Sequence, residues 1–316
     1  MSDPNRELGE FLRHARANRD PQNTGLLADG RVRRVPGLRR EEVALLAGVS
    51  TDYYTRLEQG RHLTPSAQVL AALATALALD EAGETYLHTL IRTAGRPPAR
   101  TRPGVQRVRP GMNQLLNSFS FQPALILGHR TDILSSNALA GALFVDFQAM
   151  PAKHRNYARW LLLDERARSL FLDWEEQARN AVEALRLDAA ATPDDVATQQ
   201  LIGELSLASD EFRHWWSDHR VHQRTHGTKR LNHPIVGALD VQFETLNLPG
   251  DPHQVLYVYT TEPGSTSQEA LTLLASWSLA GSKAPEATNG STPTQAPYSA
   301  SRRSPIGHAD ERGDIR

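Results

Sequence analysis

Apolar positions recur at helical spacing from the first residues of the chain. Leu8, Phe11, Leu12 and Ala15 fall on one face of residues 5–19, the i, i+3, i+4, i+7 pattern of an amphipathic helix. Residues 20–37 break the pattern: this 18-residue stretch is rich in Gly, Pro and Asp and reads as a loop. Helical patterns follow over 39–47, 50–59, 65–79 and 81–94. Val69, Leu70, Leu73 and Leu77 form one stripe, with Pro65 suited to a first turn and Thr64 to its cap. No strand period appears before about residue 110, so the first module is all-helical. Residues 95–111 hold Pro, Gly and five Arg without periodicity. They read as a linker, either a solvated hinge or a segment that follows a phosphate backbone.

The pattern then changes. "PALILG" (123–128) and "TDILSSN" (131–137) predict a hairpin joined at His129-Arg130. Helical runs follow at 138–148, 154–163, 165–187, 194–208 and 210–218. "VGALDVQFETLNL" (236–248) alternates apolar and polar residues, and "QVLYVYTTE" (254–262) follows it across a Pro-Gly-Asp-Pro turn. Residues 266–279 make a last helix. Two early strands, a helical insertion and two or three late strands predict an antiparallel sheet with helices on it, an α+β domain. From Gly281 the composition is that of a disordered tail. The expected organisation is a helical domain over 1–95, a linker over 96–111, an α+β domain over 112–280 and a tail over 281–316.

Charge divides the chain in the same place. Residues 1–110 carry 17 Arg, no Lys and 12 acidic residues, a net of +5, and the remainder carries −6. One module is suited to a polyanion and the other is not. The absence of cysteine excludes disulfides, thiolate zinc sites and Cys nucleophiles. No signal core and no membrane-length apolar run is present, so the expectation is a cytoplasmic protein with no membrane partner. Only three of 35 basic residues are Lys, the bias of a GC-rich, actinobacterium-like coding sequence.

Gly48-Val49-Ser50 lies between two short helical patterns. Gly48 can end one helix in the left-handed conformation and Ser50 can cap the next. Leu45, Val49, Tyr54 and Leu57 are expected to face a shared core, with the small Ala44 at a close crossing. Such a turn makes either a plain helical hairpin or a helix-turn-helix, whose second helix enters the major groove. Arg39 and Arg40 open the preceding helix, where cations oppose the helix dipole and a phosphate would relieve the conflict. Arg31, Arg33 and Arg34 precede them, and Arg61 follows the second helix.

Residues 38–65, LRREEVALLAGVSTDYYTRLEQGRHLTP, resemble the helix-turn-helix of the XRE, lambda-repressor-like family in Glu41-Glu42, Ala44, Gly48-Val49-Ser50, Leu57-Glu58 and Gly60. The resemblance implies that Thr51, Asp52, Thr55 and Arg56 face bases. It places Arg40 at a phosphate and Tyr54 in the core. Arg39 stands where a Thr or Ser cap is common, and the 20–37 loop is longer than the compact form, as an arm or wing would be. Chemistry agrees: Arg56 can grip guanine O6/N7, Thr51 can touch a thymine methyl, and Asp52 can accept from cytosine N4, serve as a second capping group or repel wrong sequences. Tyr53 is a candidate phosphate contact through its hydroxyl, or else a packing residue, and Arg33, Arg34, Arg39 and Arg61 complete the expected phosphate set.

Chemistry in the second module is less pointed. His214, His219, His222, His226 and His233 cluster in sequence but follow no metal motif such as HExxH, so no metal and no other cofactor is expected. Asp164, Asp173, Glu175 and Glu176 sit beside Arg and read as ion pairs rather than acid–base catalysts. Aromatic residues are dense on the helical insertion. Most suit core packing, but a cavity for an apolar ligand between sheet and helices is the sharper reading. Its expected lining is Phe144, Trp160, Trp174 and Trp216, with Arg155, Arg213 and His233 as polar anchors.

The blocks "NALAGALFVDF", "RNYARWLLLDERARSLFLDWE", "GELSLASDEFRHWWSDH" and "KRLNHPIVGALDVQFETLNLPGDPHQVLYVYTTEPGS" resemble, in order, the MmyB-like regulator ligand-binding domain. The resemblance implies a PAS-like fold, a transcription factor and a pocket for a fatty-acyl-type ligand. Ser135-Ser136-Asn137 stands where Ala-Trp-Asn is implied, which makes the pocket larger or more polar. The expectation is thus an all-α helix-turn-helix domain followed by an α+β PAS-like domain with a helical insertion. As a homodimer it binds double-stranded operator DNA and senses a small apolar ligand such as a fatty acid, and it is not an enzyme. The alternatives are an enzyme with a DNA-tethering head, and an interaction module whose head only dimerises.

Overall fold

The computed structural model describes residues 4–26, 37–61, 64–94, 104–251 and 253–281. Arg31, Arg33 and Arg34 lie outside the described residues.

Five α-helices come first: α1 (Pro4–Asn18), α2 (Arg40–Leu46), α3 (Thr51–Glu58), α4 (Ala67–Leu77) and α5 (Glu81–Thr93). They close around Leu12, Leu38, Tyr54, Leu57, Leu73 and Leu87, each at most 1% exposed. The stripe on α4 is inward as its spacing requires, with Val69 at its margin. Its start differs from the sequence expectation. Ser66, not Thr64, is the cap, and its hydroxyl accepts from the Val69 N–H at 3.3 Å, so the helix begins two residues later. Helices α1 and α3 meet through glycine. A Cβ on Gly9 would lie 2.5 Å from the Glu58 carbonyl oxygen, and one on Gly60 would lie 2.5 Å from that of Asn5.

The second region opens with α6 (Pro110–Ser118), β1 (Ala124–Leu127), β2 (Ile133–Ser136) and α7 (Ala138–Leu143). The insertion comprises α8 (Tyr157–Leu163), α9 (Glu165–Leu170), α10 (Trp174–Ala191), α11 (Val196–Ala208) and α12 (Asp210–Ser217). β3 (His226–His233), β4 (Gly237–Asn247), β5 (Val255–Thr260) and α13 (Thr266–Gly281) finish it. The five strands form one sheet in the order β2-β1-β5-β4-β3, every pairing antiparallel. The buried Asn137 locks the hairpin to α7: its Oδ1 accepts from the Ala124 and Ala140 N–H groups, and its Nδ2 donates to the Gln122 carbonyl at 2.8 Å.

Three expectations need correction. Residues 165–187 are not one helix, because the chain straightens at Phe171-Leu172 to pair with β3; the Leu172 N–H donates to the Arg230 carbonyl at 2.9 Å. The helix expected over 138–148 stops at Leu143, followed by a single 3-10 turn at Phe147–Ala149. The end of the stretch read as linker is already helical, since Pro110 suits the first position of α6. The third late strand, β3, exists.

Candidate nucleic-acid interface and ligand pocket

The turn between α2 and α3 forms by local chemistry. Gly48 takes φ +65°, the left-handed conformation that costs a glycine least. The Val49 N–H returns to the Ala44 carbonyl at 3.0 Å, and Ser50 Oγ accepts from the Tyr53 N–H at 3.1 Å. At the far end Gly60 takes φ +67°, and the Arg61 and Gly60 N–H groups close on Arg56 and Leu57 carbonyls, which ends α3 sharply. With Tyr54 and Leu57 fully buried, Thr51, Asp52 and Arg56 are left exposed and Thr55 half-exposed on one outward face. Tyr53 is half-buried at the rim. Leu45 does not join the core: it is 70% exposed, because Val43, Ala44 and Ala47 already take the inward face of the short α2.

Arg40, the first residue of α2, is engaged within the protein. Glu58 is 1% exposed, and its carboxylate accepts from Arg16 at 2.8 and 3.1 Å and from Arg40 at 3.1 and 3.2 Å, with Arg13 at 3.7 Å. Burial raises the Glu58 carboxyl pKa, but the Arg16 and Arg40 contacts outweigh it and bring it below the ordinary value. Arg40 still keeps 43% of its side chain exposed. Arg39 does stand at the N-cap of α2, where no side-chain oxygen is available. Glu42 acts instead, its carboxylate accepting from the Arg39 N–H at 2.7 Å. Glu41 and Glu42 also balance the dipole that the arginines oppose. Arg61 is exposed.

A pocket lies between the sheet and α8 and α10. Tyr257 and Tyr259 of β5, Phe243 of β4, Tyr157 of α8 and Gln177 of α10 line it, and the His222–Arg224 segment flanks it. Beside it the buried Lys229 Nζ donates to Gln177 Oε1 at 2.6 Å and lies 4.8 Å from the Phe243 ring centre. Burial pulls the Lys229 ammonium down from an ordinary 10.5 to about 8. The Tyr157 hydroxyl is buried without a hydrogen-bond partner. An apolar wall with a few convergent polar groups is what a small-molecule site requires.

Two family models match this arrangement. Residues 108–274, more than half of the chain, match the MmyB-like transcription regulator ligand binding domain, and residues 7–87 match a helix-turn-helix domain. The chain belongs to the MmyB-like transcription regulators. It is a DNA-binding transcription regulator with a ligand-binding domain. No curated protein matches it.

Of the residues that sequence reasoning chose for the ligand, Phe144 and Trp160 meet in this MmyB-like chain, and each of the others has a different partner. Trp160 is core and the half-buried Phe144 packs against it, the two interlocked with Phe171, Tyr259 and Phe147 at ring-centre distances of 5.0–6.1 Å. Trp174 donates its indole N–H to the Leu161 carbonyl at 2.7 Å. Arg155 is spent on the Met150 and Gln148 carbonyls, and the exposed Arg213 on Asp210 and the Ser206 carbonyl. His233 is buried against the Ala142 carbonyl at 3.0 Å. Trp216 stacks on Phe212 and lies elsewhere, beneath Arg186. Large aromatic residues pack best against one another, which turned the expected lining into filling. The clustered histidines also part company: His219 meets Glu7, His222 meets Asp80 and His226 meets Thr225.

A buried polar network joins the two regions. Arg186 of α10, 1% exposed, donates to Glu7 of α1 and to the Trp216 carbonyl, and its guanidinium lies 4.1 Å from the Trp216 ring centre. Tyr86 of α5 donates to Glu7 at 2.8 Å, and His219 Nδ1 lies 3.1 Å from the same oxygen. Burial raises the Glu7 carboxyl, but His219, Arg186 and Tyr86 more than offset it and bring it from an ordinary 4.5 to about 2.

Proposed function

We propose that α3 reads operator DNA through Thr51, Asp52, Thr55 and Arg56, with Arg39, Arg40, Tyr53 and Arg61 on the flanking phosphates and Arg33 and Arg34 reaching the same backbone. The observation that carries this reading is the outward face of α3, polar and exposed while its other face is locked in the core. One short helix reads too few bases for useful specificity, so the chain acts as a homodimer on a pseudo-palindrome in the cytoplasm. Replacing Arg56 with Ala relaxes sequence choice and costs roughly 1–3 kcal/mol in binding. Replacing Arg40 with Ala weakens all sequences alike and lowers the salt slope by about one. Anisotropy titrations on DNA selected by the purified protein test both. If neither variant departs from wild type, α3 is not the reading helix.

The ligand is a small apolar or amphipathic molecule of fatty-acyl size or less, held in the PAS-like sheet-and-helix pocket. The Tyr257–Tyr259–Phe243 wall supports an apolar body, and Lys229 supports an anionic end. Binding there bears on α10, whose Arg186 holds α1 of the DNA-binding region. A ligand preferring one disposition of α10 biases the head by that difference in affinity. Ligand-dependent shifts in operator affinity, lost in a Tyr259→Ala variant that remains folded, test this part.

A further inference from the structure

The turn between β1 and β2, the last turns of α10 and the turn between β4 and β5 meet at one end of the sheet. They bring together His129, Asp188 and His253. His129 Nδ1 lies 3.0 Å from Asp188 Oδ1, and the two imidazole centres are 4.2 Å apart with planes inclined by 30°. One nitrogen or oxygen from each of the three residues lies within 4.8 Å of the others. We propose that these residues form a site for a divalent transition-metal ion of the zinc class.

Two imidazole nitrogens and one carboxylate oxygen are the donors such an ion takes, with ligand bonds of about 2.0–2.2 Å. The surroundings hold the donors ready. Asp188 Oδ2 accepts the Arg130 N–H at 2.7 Å, which leaves Oδ1 turned to the histidines. Gln106 ties the two histidine-bearing turns, its Oε1 accepting the His129 N–H at 2.7 Å and its Nε2 donating to the His253 carbonyl at 3.4 Å. Outer contacts of this kind orient metal ligands. His253 sits at φ +94°, a backbone conformation that a non-glycine residue keeps only when its surroundings require it. The Arg130 guanidinium is paired with Asp132 and Asp195 at 2.6 and 2.7 Å.

The competing account is a hydrogen-bonded His–Asp pair with a second ring stacked on it. The two accounts differ in stoichiometry and in what His253 does. Coordination through His129 Nδ1 requires its proton on Nε2, so the tautomer differs as well. The site faces a cleft lined by Gln106 and Asp194, so remaining coordination positions go to water.

The test uses the full chain without an affinity tag, stripped with chelator and titrated with Zn²⁺ by calorimetry, with elemental analysis of the dialysed protein. Co²⁺ substitution reports ligand geometry through its visible absorption. One ion per chain is expected, with a rise in Tm. His253→Ala, at an exposed position, lowers affinity at least about 100-fold, and Gln106→Ala lowers it about 10- to 100-fold. His214→Ala, on the exposed surface of α12, leaves affinity unchanged. Absence of stoichiometric ion, or binding that survives both His253→Ala and Asp188→Asn, overturns the proposal. Circular dichroism of each variant separates loss of the site from loss of the fold.

Discussion

Replacing Glu7 with Gln tests the network that joins α1 to α10. The amide keeps the size of the side chain and removes its charge. In the native chain the carboxyl is 19% exposed and its pKa lies near 2 instead of 4.5. A native pKa below the unfolded one means that the unfolded chain binds more protons between those values. Stability from this group is therefore present above pH 4.5 and is lost as pH falls through about 2. A difference of about 2.5 pH units corresponds to about 3 kcal/mol at neutral pH. Protonated carboxyl and amide carry the same charge, so wild type and variant converge in acid. Urea unfolding followed by circular dichroism, repeated from about pH 6 to pH 2, gives the difference in free energy. It should be about 3 kcal/mol at the upper end and shrink towards zero at the lower end. A difference that stays constant over this range would refute the assignment, because the titrating group would then not be Glu7.

Lys229→Met removes a buried cation whose pKa is lowered to about 8. Since the unfolded amine binds its proton up to about 10.5, wild type gains stability relative to the variant by about 3 kcal/mol as pH rises from 8 to 10.5; a pH-independent difference in unfolding free energy would mean that burial does not lower the Lys229 pKa. Gly9→Ala drives a Cβ to 2.5 Å from the Glu58 carbonyl and should lower stability by about 1–3 kcal/mol in thermal or urea unfolding; an unchanged midpoint would show that α1 and α3 do not cross there. Ser50→Ala removes the cap of α3 and should cost about 1 kcal/mol, with weaker DNA binding at the same temperature; equal stability would mean that the turn is held without its cap.

What sequence reasoning recovered depended on how far apart the deciding residues lie. The α2–α3 turn was legible because Gly48, Val49 and Ser50 settle it among neighbours, and the core role of Tyr54 followed from helical spacing. The cluster on Glu58 was not, since Arg16 arrives from 42 residues away and Arg40 from 18. The same holds for Arg186, in the latter half of α10, whose partners are on α1, in α12 and just after α12. Phe144 and Trp160 were misjudged because aromatic density does not distinguish a lined cavity from a filled one. Lys229 had a readable signal. In β3 it shares its phase with Leu231 and His233, and burial alternates along that strand. The run "HGTKRLNH" is mostly polar, so its period of two was masked. Tyr257 and Tyr259 share a phase in "VLYVYT" and announced a common face in the same way.

The straightened segment at Phe171-Leu172 has a further consequence. A five-stranded open sheet has two outer strands, here β2 and β3, and their unpaired amides and carbonyls offer a template to any other extended chain. Leu172 takes the Arg230 carbonyl on one side. On the other, the Ile133 N–H donates to the Arg155 carbonyl at 2.8 Å, and Asp132 pairs with Asn156. Both stitches come from the insertion between β2 and β3. The loop of chain that widens the domain thus also hems its two borders, and self-association by strand addition is blocked where those stitches lie.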